Sequence, residues 1–316
     1  MNYTECLCSV LLNTGTGRNA DDALKQAVGV IFQPPKADDG TFNVIPAGTV
    51  FNQAFWDGQV QNSDESKRMY PFMFSRLDDV DDTRAEPSNI TVESGNRINT
   101  IKGVRTFAGK YNSAGVDVLK IMSSFECKEM QLYTVDRCGK LCGAVDANGD
   151  LRGMRVAKGS MYTILEKERA DRAGGVMMSL EFDQILFDDK MLGYIDEADI
   201  TADLLGTSGL IEVVPAVISA STTALVIQAN TLSGAFDSKV PAEGLTGVAD
   251  WQIVNETNDD VVTLDGAPIE SLVTAGRYSF GFIGDPQTVA DVLRIENGTT
   301  IFAKGFSVTD TNTTVA

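Results

Sequence analysis

From Leu210 onward the chain is a series of short apolar runs, alternating in polarity and interrupted every few residues by turn formers. The runs are Leu210–Ile218, Ala224–Gln228, Trp251–Val254, Val261–Leu264, Arg277–Ile283 and Val292–Ile295. A two-residue repeat places alternate side chains on one face of a strand, and strands this short and closely spaced pair through tight turns. The pattern predicts a small antiparallel β-sandwich of immunoglobulin-like kind over residues 206–316. Residues 1–205 are also rich in β-formers but contain one convincing helical stretch. The predicted class is therefore mainly β (α+β): a sandwich or barrel with one packed helix and a long arm, followed by the second sandwich.

Two features of composition narrow the chemistry. The 316 residues include no histidine, which removes Ser-His-Asp and Cys-His catalysis. The net charge is −18. Residues 206–316 hold 4 basic and 13 acidic side chains, so the acidity is shared between the two parts and is not a tail. No basic stripe suits sequence-specific contact with nucleic acid. Carboxylates are abundant, but nothing in their spacing sets two of them face to face for hydrolysis. The Cys6–Leu12 segment is apolar but short and has Glu5 rather than a basic residue before it, so no signal peptide is predicted. No run approaches the roughly 18–20 apolar residues of a membrane span. Synthesis in the cytoplasm is the expectation, and the five cysteines are then expected as reduced thiols.

Along the first part, residues 3–12 read as a strand and 20–29 as a short helix ending at Gly29. Residues 41–60 hold β-formers around Pro46-Ala47-Gly48. Residues 61–100 read as a long loop or extended arm. Within it, Asp78, Asp79, Asp81 and Asp82 surround Arg84 after an apolar patch that includes Phe72 and Phe74. Long loops in compact domains are usually functional, and contact with a neighbouring subunit is the role predicted here, with a solvated acidic loop as the alternative. Trp56, Phe72, Phe74 and Arg84 are the candidate subunit contacts. For the three aromatics, a satellite core beneath the loop is the competing reading. A strand over 101–111 precedes the helix, which Ser113 would cap and whose Val118, Leu119, Met122 and Phe125 share one face. Strands follow at 130–135, 151–157, 160–166 and 176–187, with turns at Cys138-Gly139, Asn148-Gly149 and Gly174-Gly175. Residues 188–209 read as an acidic linker, and the Thr-rich 307–314 as a frayed end.

Three motifs suggest cofactors or metals and fail on detail. Gly15-Thr-Gly17-Arg-Asn-Ala20 has dinucleotide-loop spacing, but no strand–helix series follows it and Pro34-Pro35 interrupts the second strand. Asp146-Ala-Asn148-Gly-Asp150 starts as a calcium loop, but Leu151 stands where glycine is needed and Ala157 where glutamate is needed, so a hairpin tip is predicted. Cys127, Cys138 and Cys142 would need Cys6 or Cys8 as a fourth zinc ligand, and small core thiols are the simpler reading. No cofactor and no metal is predicted.

The order of segments from Gly103 to Asp183 carries a resemblance. It runs through Val-Arg-Thr-Phe-Ala-Gly-Lys-Tyr, the helix Val-Asp-Val-Leu-Lys-Ile-Met-Ser-Ser-Phe, Met-Gln-Leu-Tyr-Thr-Val-Asp with its Cys-Gly turn, Asp-Ala-Asn-Gly-Asp-Leu-Arg-Gly and Leu-Glu-Phe-Asp. With the immunoglobulin-like tail, this resembles virion structural proteins of tailed phages and prophages of Bacteroidetes bacteria, of the major-tail or tail-tube type. The resemblance implies a homo-oligomer, hexameric rings whose joined sheets form an inner β-barrel, stacked into a tube. DNA would pass through without specific binding, and other virion proteins would be partners. It also implies no enzyme activity, and an outer 206–316 domain making weak contact with glycans of a host surface. A negative lumen would repel phosphate, and Asp78, Asp79, Asp81, Asp82, Asp146 and Asp150 are the candidate lumen or surface acids. A capsid protein with a double-barrel coat subunit and a glycan-binding adhesin are the other readings. The extra length before Gly103 departs from the simplest tubes and leaves the ring contacts unassigned.

Overall fold

The computed structural model describes residues 26–73, 76–94, 97–112, 114–169, 173–204, 209–231, 240–283 and 287–316. The chain divides into two compact units between Ser208 and Gly209, close to the boundary read from sequence. Both units are mainly β.

The first unit contains β1 (Ala27–Gln33), α1 (Gln53–Val60), β2 (Tyr70–Phe72), β3 (Leu77–Arg84), β4 (Ser88–Thr91), β5 (Arg97–Ile101), β6 (Arg105–Asn112) and α2 (Val116–Ser123). Then come β7 (Gln131–Asp136), β8 (Leu141–Val145), β9 (Leu151–Arg152), β10 (Met154–Arg155), β11 (Tyr162–Glu166), β12 (Gly175–Glu181) and β13 (Leu192–Ile195). One sheet runs β13-β8-β7-β1-β2, with β9 on β8 and β10 on β7; the other runs β11-β12-β6-β3. They face each other across a core that takes Val30, Phe32, Leu132 and Met154 from the first sheet. The second sheet contributes Leu77, Phe107, Tyr111, Val176, Met178 and Leu180, α2 adds Met122, and the turn after it Phe125.

The first sheet is covered on its other face as well. Ile31, Tyr133, Val135 and Leu141 point there, against Trp56 and Val60 of α1 and against Ile45, Phe51 and Met69. Double coverage explains why β1, Ala-Val-Gly-Val-Ile-Phe-Gln, is buried at every position instead of alternating. α1 starts where the Asn52 side chain accepts the Phe55 N–H at 2.9 Å, and Trp56 and Val60 then fall one turn apart on the sheet-facing side.

Several sequence expectations are corrected. The helix over 20–29 fails at its end, because Ala27–Gly29 open β1; its earlier part lies outside the described residues, as do the strand at 3–12 and the glycine loop at 15–20. Residues 53–60 are helical, not β. The supposed loop over 61–100 holds β2, β3 and the β4–β5 pair. Ser113 lies outside the described residues, and the cap of α2 is Gly115, which makes no side-chain cap bond. The linker of 188–209 contributes β13, hydrogen-bonded to β8.

The second unit contains β14 (Ile211–Ala220), β15 (Ala224–Thr231), β16 (Val240–Pro241), β17 (Trp251–Asn255), β18 (Asp260–Val261), β19 (Ile269–Glu270), β20 (Arg277–Gly281), β21 (Val292–Asn297), β22 (Phe306–Val308) and β23 (Thr311–Thr314). One sheet runs β19-β20-β15-β14-β22 with β16 on β15, the other β18-β17-β21-β23. Leu225, Ile227, Tyr278 and Phe280 of the first meet Trp251, Ile253, Leu293 and Ile295 of the second, which is the predicted sandwich. Asp250 is fully buried there. Burial alone would raise its carboxyl, but Lys304, the Thr300 hydroxyl and the Gly247 N–H together hold it below the usual range. The Thr-rich end is not frayed. β22 pairs in parallel with β14, β23 pairs with β21, and Val315 is buried.

Candidate assembly surface

Among the described residues, nothing packs on one face of the four-stranded sheet of the first unit. Cross-strand register and the alternation of the pleat put Tyr162, Ile164 and Glu166 of β11 on that face. Met177 and Ser179 of β12, Ala108 and Lys110 of β6, and Asp78 and Asp81 of β3 join them. None of the apolar members belongs to a core cluster. Tyr162 is 49% exposed and Ile164 41%. Lys110 is the buried exception, donating to Glu166 Oε2 and to the Ala173 carbonyl, each at 2.7 Å, and so tying β6 across β12 to β11.

The two edges of this sheet differ. β3 is an edge with a bulge between Asp78 and Asp81, and Asp79 sits there with φ of 49°, in the left-handed region. Four carboxylates and a bulge make a poor template for another strand. β11 pairs with β12 without a bulge and is uncharged from Tyr162 to Leu165. Its Thr163 N–H points away from β12 and donates to Glu126 Oε1 at 2.8 Å. The same alternation turns the Leu165 N–H outward, and among the described residues it has no partner. Val116 and Ile121 of the neighbouring α2 are also exposed.

A ribbon extends from the same sheet. β3 and β6 are a hairpin whose far end continues, past the break at Ala85–Pro87, into the antiparallel pair β4–β5. Every residue of β4 is exposed. An isolated two-stranded ribbon is only marginally stable in water, which sets this one apart from the packed sheets of the unit. At its root, Gly103 lies so close to the Ala85 carbonyl that an added Cβ would stand 1.7 Å from the oxygen. The Arg84 guanidinium braces the root, donating to the Gly103 carbonyl at 3.1 Å and pairing with Asp189 at 2.9 Å. Asp189 also takes Arg105, whose other side grips Asp82 with two bonds of 2.7 Å. Burial works against the Arg105 charge, but Asp82 and Asp189 outweigh it and raise its affinity for its proton. At the ribbon's other shoulder Lys102 pairs with Asp188, whose carboxyl that bond lowers.

The predicted site residues divide accordingly. Trp56 and Phe72 are buried, so as subunit contacts they are corrected: Trp56 stacks beside Phe51, and Phe72 meets Phe32 and Phe125 edge to face. Their polar sequence neighbours belong to α1 and β2, whose inner sides are apolar. Phe74 lies outside the described residues. Arg84 serves its own chain's ribbon. The six acids do not gather on one surface. Asp78 and Asp81 lie on the uncovered face, Asp79 at the bulge and Asp82 in the arginine network. Asp146 and Asp150 shape the β8–β9 turn, Asp146 accepting the N–H groups of Asn148 and Asp150, and Asp150 that of Ala47. That turn is the hairpin tip expected from the failed calcium motif. Cys138 and Cys142 are buried, as small core thiols should be, but Cys127 is exposed. Among the described residues no three of His, Cys, Asp and Glu are placed to share a metal ion, and no helix is long and apolar enough to cross a membrane.

Sequence reasoning missed the open edge at β11. Its signal is the run Tyr-Thr-Ile-Leu, in which inward and outward positions are both apolar. Comparison with protein-family models, with curated proteins and with solved structures returns no match.

Proposed function

We propose that this chain is a structural subunit whose copies complete one another's β-sheets, and that its working form is a polymer rather than an enzyme. The observation that carries this reading is the four-stranded sheet, with a face, a stretch of β11 edge and a ribbon that no other described residues cover. Joining β11 to a neighbour beyond the Thr163–Glu126 contact would satisfy the Leu165 N–H and cover Ile121 and Leu165. The ribbon would then lie on an adjacent copy, the role predicted for the arm.

The resemblance to phage tail-tube proteins makes the polymer a stack of rings, hexameric in that family, within a virion and among other virion proteins. The bare face would then line the channel, with Asp78 and Asp81 repelling the phosphates of passing DNA. The second unit would sit outside as decoration, in weak contact with host-surface glycans. Negative-stain microscopy of the purified full chain tests this directly, rings or tubes being expected. Replacing residues 86–103 by a short turn should leave a folded subunit that no longer stacks, whereas truncation after Ser208 should leave the rings intact. A chain that stays monomeric at high concentration and in its native particle, or a ribbonless chain that assembles normally, ends the proposal.

A further inference from the structure

A chamber of about 180 Å³ lies between the two sheets of the first unit, at the end opposite the Phe32–Phe72–Phe125 cluster. Ala27, Val80, Phe107, Met154 and Leu192 form its apolar wall, and Thr134, Cys142, Asp82, Arg105 and Gln26 its polar one. Among the described residues this space is larger than the voids that interiors normally keep, and with its mouth at Gln26 and Asp82 it can take an occupant. About 150 Å³ is enough to hold a benzene ring.

The lining sets the chemistry of that occupant. Asp82 and Arg105 neutralise each other through two bonds, and Arg105 and Arg84 share Asp189, so the rim is balanced in charge. The Cys142 thiol is pushed up to about 12, by burial first and by the nearby Asp136 charge second, and stays neutral. A charged ligand would lose its hydration without finding a free counter-ion. The Thr134 hydroxyl, in a residue 91% buried, has only the Cys142 sulfur for company among the described residues. Sulfur is a weak partner, which leaves the hydroxyl free to bond a guest. Gln26 and Asp82 are the exposed members of the lining and mark the way in.

We propose that this chamber is a binding site for a small neutral molecule of about one aromatic ring carrying a single hydroxyl. The ring lies on Phe107, Met154 and Leu192, and the hydroxyl meets Thr134. The site does not rest on the assembly reading and survives its failure.

Phenol and benzene are the probes, titrated into the full chain by calorimetry, with 4-fluorophenol followed by fluorine NMR. One saturable site per chain is expected, with phenol held roughly ten-fold more tightly than benzene, the worth of one buried hydrogen bond. Thr134→Val keeps the shape and should bring that ratio close to one. Ala27→Leu fills the chamber and should abolish binding of both, its circular dichroism remaining that of the parent. If neither probe binds saturably to the parent chain, the proposal falls. It also falls if a folded Ala27→Leu chain binds as before. Should Ala27→Leu fail to fold, the Thr134→Val ratio decides alone, and an unchanged ratio overturns the assignment of the polar end.

Discussion

The two sheets of the first unit are built from similar strands and treated differently by the rest of the chain. The sheet containing β1 and β7 is covered twice, by the other sheet on one side and by α1 with Ile45, Phe51 and Met69 on the other. Among the described residues the sheet containing β6 and β12 is covered once, and its second face presents Tyr162 and Ile164, both exposed. Burial on both faces is a property of a finished core. Burial on one face leaves the other, among the described residues, to solvent, and on the proposed reading to a neighbouring copy. The difference separates residues that hold the subunit together from residues that deal with neighbours, and it moves Trp56 and Phe72 from the second class to the first.

Truncating the twice-covered side should give the largest effect on the subunit itself. Trp56→Ala removes a fully buried indole and should lower unfolding free energy by about 3–5 kcal/mol, measured by urea titration of the first unit's transition. Trp56→Phe should cost far less, because the indole N–H has no partner among the described residues and its loss leaves nothing unpaired. If Trp56→Ala proves as mild as a surface change, α1 is a lid and not a wall, and the contrast between the sheets disappears.

The joint between the two sheets comes next. Tyr111, on β6, is fully buried and donates its hydroxyl to the Phe72 carbonyl of β2, crossing from the second sheet to an edge of the first. Burial pushes its phenol well above the ordinary value, so it remains a neutral donor throughout the stable range. Tyr111→Phe leaves that carbonyl short of one partner and should cost about 1–2 kcal/mol by the same titration. A neutral result would mean that β2 is held by its pairing with β1 alone.

How far the sequence foretells this depends on whether neighbours in space are neighbours in the chain. The second unit is legible because alternating runs such as Ala224–Thr231 pair with a strand adjacent in the chain through a short turn. Trp251, Tyr278 and Phe280 meet where a sandwich core must lie. β1 misleads because a strand covered on both faces loses its alternation and shows only a continuous apolar run. Its lead-in, Ala-Asp-Asp-Ala-Leu-Lys-Gln, then resembles a helix. The acids of β3 mislead in the opposite sense. Asp78 to Asp82 look like loop, yet the strand forms because β6 supplies the hydrogen bonds, and Leu77 inserts over Gly109, where any Cβ would collide with it. β13 and β23 are distant additions to sheets begun much earlier, and nothing local announces such pairings. The site divides in the same way. Acidity and an arm are visible in the residues, whereas which acids share a face depends on the register of β3 against β6, and that register includes a bulge.

The smallest effect on the subunit should come from the bare face, and it is the one that tests what the face is for. Ile164 has a neighbour of similar exposure in Tyr162 and contributes to no core, so Ile164→Lys should change the unfolding free energy by no more than about 0.5 kcal/mol. The new cation would stand beside Glu166, which already accepts from Lys110, so the isolated subunit would tolerate it. A joint between copies would not, because Ile164 lies on β11, the proposed joining strand, and a lysine on an edge strand is one of the commonest devices by which proteins keep sheets from joining. Sedimentation velocity on the parent and the variant, at matched concentration and ionic strength, reads the difference. The expected outcome is a variant as stable as the parent that no longer forms large species. A variant that polymerises as readily would show that copies join elsewhere. The single coverage of this sheet would then mark a face open to solvent and nothing more.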